Sequence, residues 1–410
     1  MTNPSYVKAK DLVTFRTGKL DSNAADPEGQ YPFFTCAQET YRINSYSFDT
    51  ECILLAGNNA GGIFPLKFYN GKFNAYQRTY VIESLNPQQL NIKYFYFYLR
   101  PLLKAFEQQA TGAATKFLTL KILHSIQVPM LDIVSQKKIA AVLSAYDDLI
   151  ENNKRRVALL EQLAEEIYRE WFVRLRFPGH ESVPLIQGIP EGWEMIKLGQ
   201  AFDYTGGGTP SKAIDRYWQH GNINWFTPSD ITSSEGVYLE RSGEQCTEEG
   251  YDNSSAKLFP PYSVMLTSRA TIGAIGINTT PACTNQGFIT CIPNKRYPLP
   301  YLYHWLKLAK PHFELLAGGA TFAELTKGTF KNIEILTPPE HIVTQFADIE
   351  SPLFKKIEVL LATNRKLVET RDLLLPRLIS GKLSCETLDI QFPPGMMNEM
   401  SEDSDLTHHA

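Results

Sequence analysis

Two long stretches of this chain carry a helical pattern of apolar positions. From Leu131 to Phe177 there is neither glycine nor proline, and Ile139, Val142, Tyr146, Leu149, Asn153, Leu160, Leu163 and Ile167 recur at spacings of three, four and seven. A stripe at that period marks a helix that packs lengthwise against another helix. At ~1.5 Å per residue, some forty residues make a rod of roughly 60 Å. The second stretch, from about Glu340 to Ile379, places Phe346, Ile349, Leu353, Ile357, Leu360, Asn364, Leu367, Leu374 and Leu378 in the same way. A proline inside a helix costs about 3 kcal/mol, whereas serine is a good N-cap and proline is favoured at the first helical position. Ser351-Pro352 therefore predicts a break, with the long helix beginning at about Pro352.

The remaining sequence alternates short β-branched and aromatic runs with glycine and proline, as strands and turns do. Ile53 to Ala56, Tyr80 to Ile82, Val264 to Thr267 and Gly287 to Ile292 read as strands. Ile92 to Glu107 and Leu299 to Leu316 read as short amphipathic helices.

The same order of features occurs twice. Ile150-Glu151-Asn152-Asn153-Lys154-Arg155 aligns with Leu361-Ala362-Thr363-Asn364-Arg365-Lys366, 211 residues apart, and Ile133-Val134-Ser135-Gln136 aligns with Ile342-Val343-Thr344-Gln345. Gly112-Ala113-Ala114-Thr115 and Leu118-Thr119 match Gly319-Ala320-Thr321 and Leu325-Thr326. More weakly, Phe48 through Leu55 parallels Phe259 through Leu266, Tyr76-Gln77 parallels Asn285-Gln286, and Tyr94 to Leu99 parallels Tyr301 to Leu306. The layout is domain, helix, domain, helix. Asn153 and Asn364 are equivalent polar residues on apolar seams. Either they are partly exposed, or, if the helices pair antiparallel about a pseudo-twofold axis, they meet and fix the register at some cost in stability.

Composition changes this picture little. The formal net charge is −4, distributed as +4 over residues 1–130, zero over 131–180, −3 over 181–337 and −5 over 338–410. Glu399, Glu402, Asp403 and Asp405 make the end of the chain acidic. Charge therefore neither requires nor excludes nucleic acid, and a strong grip on phosphate has to come from local patches or a partner. The six cysteines form no Cys-x-x-Cys pair, and Cys283 and Cys291 lack further ligands at zinc spacing, so free thiols are expected. No apolar run approaches the ~20 residues of a membrane span, and Met1 to Leu20 has no signal core, which predicts a cytoplasmic protein.

Familiar catalytic patterns are missing. Phe259-Pro260-Pro261-Tyr262 has the outline of an amino-methyltransferase motif, but its phenylalanine cannot accept the amine hydrogen bond; it reads as the lead-in to a strand. Gly206-Gly207-Gly208-Thr209-Pro210-Ser211-Lys212 lacks the Gly-Lys-(Ser/Thr) ending of a phosphate loop, and its proline removes an amide donor. There is no (Asp/Glu)-x-Lys and no His-Glu-x-x-His. What remains is polar side chains on loops. In the second copy these are Gly207, Gly208, Thr209, Ser211, Lys212, Trp225, Thr227, Ser229, Asp230, Arg269, Thr271, Asn285 and Gln286. In the first they are Arg16, Lys19, Asn58, Asn59, Gln77, Arg78 and Lys116. Arg and Lys suit guanine O6/N7, and Asn and Gln suit adenine N6/N7; Thr-Pro and Ser-Asp pairs also serve as caps and turns. From these residues a DNA-specificity protein, a self-sufficient DNA-modifying enzyme and a coiled-coil scaffold all remain open.

The chain resembles the specificity (S) subunits of Type I restriction–modification systems over essentially its whole length. Gly207 to Lys212, Trp225-Phe226-Thr227-Pro228-Ser229-Asp230-Ile231, Ser268-Arg269-Ala270-Thr271-Ile272-Gly273, the Gly-Ala-Thr turn with Leu325-Thr326, and the Ile-Val-x-Gln lead-in to each helix carry the likeness. Arg16-Thr17-Gly18-Lys19 departs from it, standing where the second copy has Thr205 to Pro210, which suggests that the halves read different sequences. The resemblance implies an α+β chain with two mixed α/β target-recognition domains, 1–130 and 181–337. Each is followed by a long-helix region, 131–180 and 338–385, and residues 386–410 form a disordered acidic tail. The helices would form an antiparallel coiled coil separating the domains. Each domain would read half of a split site on double-stranded DNA, with no catalysis on this chain. Two methyltransferase (M) subunits would carry S-adenosylmethionine and methylate adenine N6; restriction (R) subunits would use ATP and Mg.

Overall fold

The computed structural model describes residues 5–59, 64–109, 116–318, 323–380 and 382–383. The Gly112–Thr115 and Gly319–Thr321 turns and the acidic tail lie outside these residues. The chain divides into two compact units, residues 1–151 with 365–410 and residues 152–364. Both boundaries fall inside long helices, so each unit joins a sheet-rich body to parts of two helices.

In the first unit a six-stranded sheet runs in the order Val13–Thr17, Thr79–Ser84, Phe48–Ala56, Leu66–Ala75, Tyr31–Phe34, Tyr41–Ile43. The central strand is buried on both faces, and its alternation divides it between two cores. Ile53 and Leu55 join a large cluster with Phe95, Phe97 and Leu99 of the helix Ile92–Gln109. Cys52 and Leu54 join a smaller one with Phe34, Phe73 and Val81. Ile139, Ala140 and Leu143 of the first long helix meet Leu375, Leu378 and Ile379 of the second in the large cluster. Asp147 accepts from Arg100 (2.9 Å) and from Arg371 (2.6 Å), tying both helices to the body.

The second unit repeats this plan. Its main sheet runs Tyr204–Gly206, Phe288–Cys291, Val264–Thr267, Ile275–Asn278, Tyr238–Leu239, and its first four strands reproduce the first four of the other unit in order. The hydrogen bonds repeat as well. Ser5–Lys8 pairs with Gln127–Met130 as Glu194–Lys197 pairs with Glu334–Thr337. Tyr94 donates its hydroxyl to the Pro129 carbonyl (2.9 Å) as Tyr301 does to Leu336 (2.8 Å). Glu244–Cys246, Ile223–Phe226 and Ala282–Thr284 pair as Tyr41–Ile43, Tyr31–Phe34 and the end of Leu66–Ala75 do in the first unit, antiparallel on one side and parallel on the other.

The long helices are Ile133–Tyr168, continued by a π turn over Arg169–Val173, and Glu340–Ile379. Within the second unit their segments run antiparallel. Asn153 is hydrogen-bonded to Asn364, and the Tyr168 ring lies 5.9 Å from that of Phe346. The seam differs from the expected stripe at Leu149, Leu163 and Ile349. Ile139, Tyr146, Asn153, Leu160 and Ile167 face inward or are partly covered, but their partners are Leu143, Ile150, Val157 and Ala164. Leu149 and Leu163 are about half exposed, and in the second helix Ile349 is exposed while Glu350 is buried. Spacings of three and four are equally helical, so Leu149, Leu163 and Ile349 fit the pattern as well as Ile150, Ala164 and Glu350, which occupy the seam.

The break expected at Ser351-Pro352 does not occur. The helix Glu340–Ile379 is continuous through it. Pro352 and Asp348 are both exposed, so the carbonyl that proline leaves without a donor faces water. Phe346 on one side and Phe354 and Ile357 on the other are buried against the body of the unit, and this packing holds the helix across the proline.

Glu350 has no hydrogen bond and lies fully buried beside His304, 3.5 Å away, on the helix Leu299–Leu308. Burial pushes the Glu350 carboxyl up to about 8. Burial, reinforced by the Lys307 charge, pushes His304 down to about 3. Near neutrality both groups are therefore largely uncharged, as a low dielectric demands. The raised carboxyl contributes stability that is complete below its ordinary 4.5 and is lost as pH rises through about 8. The lowered imidazole contributes stability that is present above its ordinary 6.5 and is lost as pH falls through about 3. Raising the pH from about 6.5 through about 8 thus isolates Glu350: the wild type loses stability there in chemical denaturation, and Glu350→Gln removes that loss. An unchanged pH slope in the variant contradicts the assignment.

Candidate nucleic-acid interface

One end of each main sheet is organised by the same set of backbone hydrogen bonds. In the first unit Gly57 N donates to Arg78 O (2.8 Å), Leu118 N to Gly57 O (2.9 Å) and Tyr76 N to Phe34 O (2.9 Å). In the second Ser268 N donates to Gly287 O (2.8 Å), Leu325 N to Ser268 O (3.0 Å) and Asn285 N to Phe226 O (3.1 Å). Thr119 and Thr326, each one residue further on, cap the next helical turn through the amides of Ile122 and Thr329. These bonds satisfy groups that would otherwise be unpaired at a strand end. Because they use main chain alone, they fix where the loops begin and leave the side chains free to differ.

In the first unit this end gathers most of the candidates. Asn58 follows Gly57, and the short strand Asn58–Asn59 pairs with Lys116–Phe117, bringing Asn59 and Lys116 opposite each other. Gln77 and Arg78 are exposed on the turn before Thr79–Ser84, and Gln77 N donates to Leu20 O (2.9 Å) beside the exposed Lys19. An open cleft of about 650 Å³ lies beside Asn58, lined also by Cys36, Tyr41 and Tyr76 among others. The Cys36 thiol donates to Asn58 Oδ1 (3.1 Å), which leaves the Asn58 amide nitrogen to offer donors. Arg16 is exposed on Val13–Thr17, paired with Glu83 and set over the Phe48 ring at 5.4 Å.

The second unit brings only part of its list to the surface. Thr209 donates to Gln286 Oε1 (2.8 Å), and both residues are exposed. Ile223–Phe226 and Ala282–Thr284 run parallel, so the loops that carry Ser229 and those that carry Asn285 and Gln286 leave the same end. Arg269 and Thr271 are exposed on the loop after Val264–Thr267, and Arg269 is held by Glu324 (2.9 Å). Ser211 and Lys212 are exposed; the Lys212 ammonium meets Glu244 (2.6 Å) and lies 3.4 Å from the Trp218 ring centre.

Several candidates are builders instead. Trp225 is 3% exposed and donates its indole N–H to Gly208 O (2.8 Å), so it supports the glycine turn from beneath and is not placed to touch a ligand. Thr227 and Asp230 form a capping box at the helix Pro228–Thr232, and the second Asp230 oxygen accepts from Gly243 N (2.8 Å). Asn285 Oδ1 is used by Gly287 N (2.9 Å). Gly207 is packed so closely that a Cβ there would lie 2.0 Å from Asn285 O and 2.1 Å from Thr284 O.

Sequence reasoning missed Lys327, Glu244 and Glu324. Lys327 is exposed, and its ammonium approaches Gly206 so closely that a Cβ there would meet it at 2.0 Å. Its position directly after the repeated Leu325-Thr326 pair was the available signal. The two carboxylates carry no motif and are found only by their contacts.

Asn153 and Asn364, 3% and 7% exposed, share a hydrogen bond of 2.9 Å between Asn153 Nδ2 and Asn364 Oδ1. Val157, Leu360 and Leu361 are buried along the same helices. Among the described residues no group of three or more His, Cys, Asp or Glu side chains is placed to hold a metal ion. The five described cysteines are free thiols.

The family model for the Type I restriction modification DNA specificity domain matches the chain twice, over residues 3–162 and 190–369. The Type I restriction enzyme EcoDI specificity subunit of Escherichia coli is 34% identical over 220 residues, 48% of this chain and 48% of that protein. The MjaIX specificity subunit of Methanocaldococcus jannaschii is 35% identical over 199 residues, 46% of each. The chain thus spans about half the length of these two relatives. The crystal structure of the S subunit from the M. genitalium Type I restriction-modification system superposes with a TM-score of 0.62 at 18% identity. The match covers 91% of this chain and 95% of that one, a likeness of fold.

The packing around Gly207 makes a direct prediction. Gly207→Ala forces the backbone of Thr284 or Asn285 to move and lowers stability by about 1–3 kcal/mol, measured by chemical denaturation, as overpacking does. Stability equal to wild type contradicts the close approach.

Proposed function

Since the chain belongs to the Type I restriction modification DNA specificity domain family, we propose that it is the specificity subunit of a Type I restriction–modification complex. Each unit reads one half of a bipartite site on double-stranded DNA. The observation that carries this reading is the repeated backbone corner, Gly57 with Arg78 and Leu118, and Ser268 with Gly287 and Leu325. Polar side chains that differ between the units leave from it: Lys19, Asn58, Gln77 and Arg78 in one, Thr209, Ser229, Arg269, Thr271 and Gln286 in the other. Loops of unlike chemistry on a common frame are suited to reading two unlike half-sites.

In this reading the chain carries no catalytic group and no cofactor of its own. Two methyltransferase subunits bring S-adenosylmethionine and methylate adenine N6, a reaction that requires the base to leave the stack. Restriction subunits bring ATP and Mg. Partner subunits also supply most phosphate contacts, which position without specifying and which a chain of net charge −4 does not provide alone. The Asn153–Asn364 pair fixes helix register, a common use of a buried polar pair on an apolar seam. Among the described residues no helix is long and apolar enough to cross a membrane, and the complex acts in the cytoplasm with the DNA.

Methylome sequencing with and without this gene tests the proposal. Loss of N6-methyladenine at one bipartite, asymmetric motif is expected. An unchanged modification pattern in an otherwise intact system refutes it, and methylation by the purified chain with S-adenosylmethionine alone assigns the chemistry to this chain instead.

A further inference from the structure

Two exposed cations of the second unit's rim, Lys212 and Arg269, are presented already paired. Lys212 Nζ lies 2.6 Å from Glu244 Oε1, with the Trp218 and Trp225 ring centres at 3.4 and 4.6 Å, so the ammonium is held by a carboxylate and two aromatic faces. Trp218 is itself anchored, its indole N–H donating to Ser211 O (3.1 Å). Glu244 stands opposite Trp225 in the three-stranded sheet. Arg269 Nη2 lies 2.9 Å from Glu324 Oε1, and the two residues are also joined by a backbone bridge, which sets the pair in place from below. The first unit has the same arrangement in Arg16 and Glu83, on neighbouring strands.

We propose that Glu244 and Glu324 are specificity-determining carboxylates: they keep Lys212 and Arg269 from binding phosphate indiscriminately and release them only to a base edge. This rests on the reading that the rim meets duplex DNA. Exposed ion pairs add little to stability, so their effect here is on charge. An unpaired lysine or arginine attracts any phosphate, whatever the sequence. A cation already neutralised at 2.6–2.9 Å gains much less. A phosphate approaching the pair also meets a second anion, and it has no hydrogen to donate to the carboxylate. A major-groove base edge is different. Guanine O6 and N7 accept from the cation while the paired cytosine N4 amino group donates to the carboxylate, so a G·C pair satisfies both members at once. The pair thus favours a base edge of matching pattern over the backbone of any sequence.

Binding of the full-length chain to a mixed-sequence duplex, followed by fluorescence anisotropy between about 50 and about 200 mM salt, tests this. Glu244→Gln and Glu324→Gln should each raise affinity roughly three- to tenfold at the low-salt end and steepen the log–log salt dependence by about 0.9, one phosphate contact per freed cation. Lys212→Ala added to Glu244→Gln should reverse that gain. Glu340→Gln breaks a comparable pair with Lys295 (2.5 Å), beyond the opposite end of the Phe288–Cys291 strand from Gln286, and should change neither quantity. Thermal unfolding confirms that each variant keeps its fold. If the wild type binds the duplex and the two glutamine variants bind equally or more weakly, the proposal is overturned while the DNA-binding reading stands. If neither wild type nor any variant binds, the DNA-binding reading fails and the proposal fails with it.

Discussion

One main-chain residue at the end of the central strand of each unit, Gly57 or Ser268, donates to one loop and accepts from another, and the candidate interface depends on that junction. Its two bonds bring together the turn that leads into the next strand and the capped turn that follows the unit's main helix. Neither bond requires a particular side chain, so the loops start from the same points in both units. This explains why Gln77 and Gln286, or Asn58 and Arg269, stand at matching places while their surroundings differ. The second unit has Trp225, on the strand that corresponds to Tyr31–Phe34, supporting Gly208 from beneath; the first has the cleft around Cys36 and Asn58.

The helices answer to a different constraint, a seam that repeats every seven residues. Leu143, Ile150, Val157 and Ala164 keep that period in the first helix, and Glu350, Ile357, Asn364, Arg371 and Leu378 keep it in the second. Three of the latter are polar: Asn364 is hydrogen-bonded to Asn153 and Arg371 to Asp147, while Glu350 lies beside His304 without a hydrogen bond. A polar group on a seam has fewer satisfactory alternatives than an apolar one, because moving it leaves a buried group unpaired.

How much of this was legible in the sequence follows from the physics of each feature. The long helices, the duplication and the equivalence of Asn153 with Asn364 were readable because periodicity and internal repetition are properties of the sequence itself. Three seam positions differ, since Leu149, Leu163 and Ile349 are as helical in spacing as Ile150, Ala164 and Glu350, and only tertiary packing chooses between them. Pro352 was read as a break because propensity is local, whereas Phe346, Phe354 and Ile357 hold the helix from a distance. In the candidate site, polar residue types on loops did not separate exposed side chains from builders. Trp225, Thr227 and Asp230 look like ligand groups in a motif and serve as support and caps in the fold. The carboxylates opposite Lys212 and Arg269 were invisible because ion pairs between distant residues leave no sequence pattern.

The central claim is that each unit reads its own half of the site from loops fixed on a shared frame. The most direct measurement is methylome sequencing of cells carrying Arg269→Ala together with Gln286→Ala, two exposed residues of the second unit's rim. Relaxed base preference confined to one half of the recognised motif, with the other half unchanged, is the predicted result. Equal relaxation of both halves, or no change in either, contradicts it.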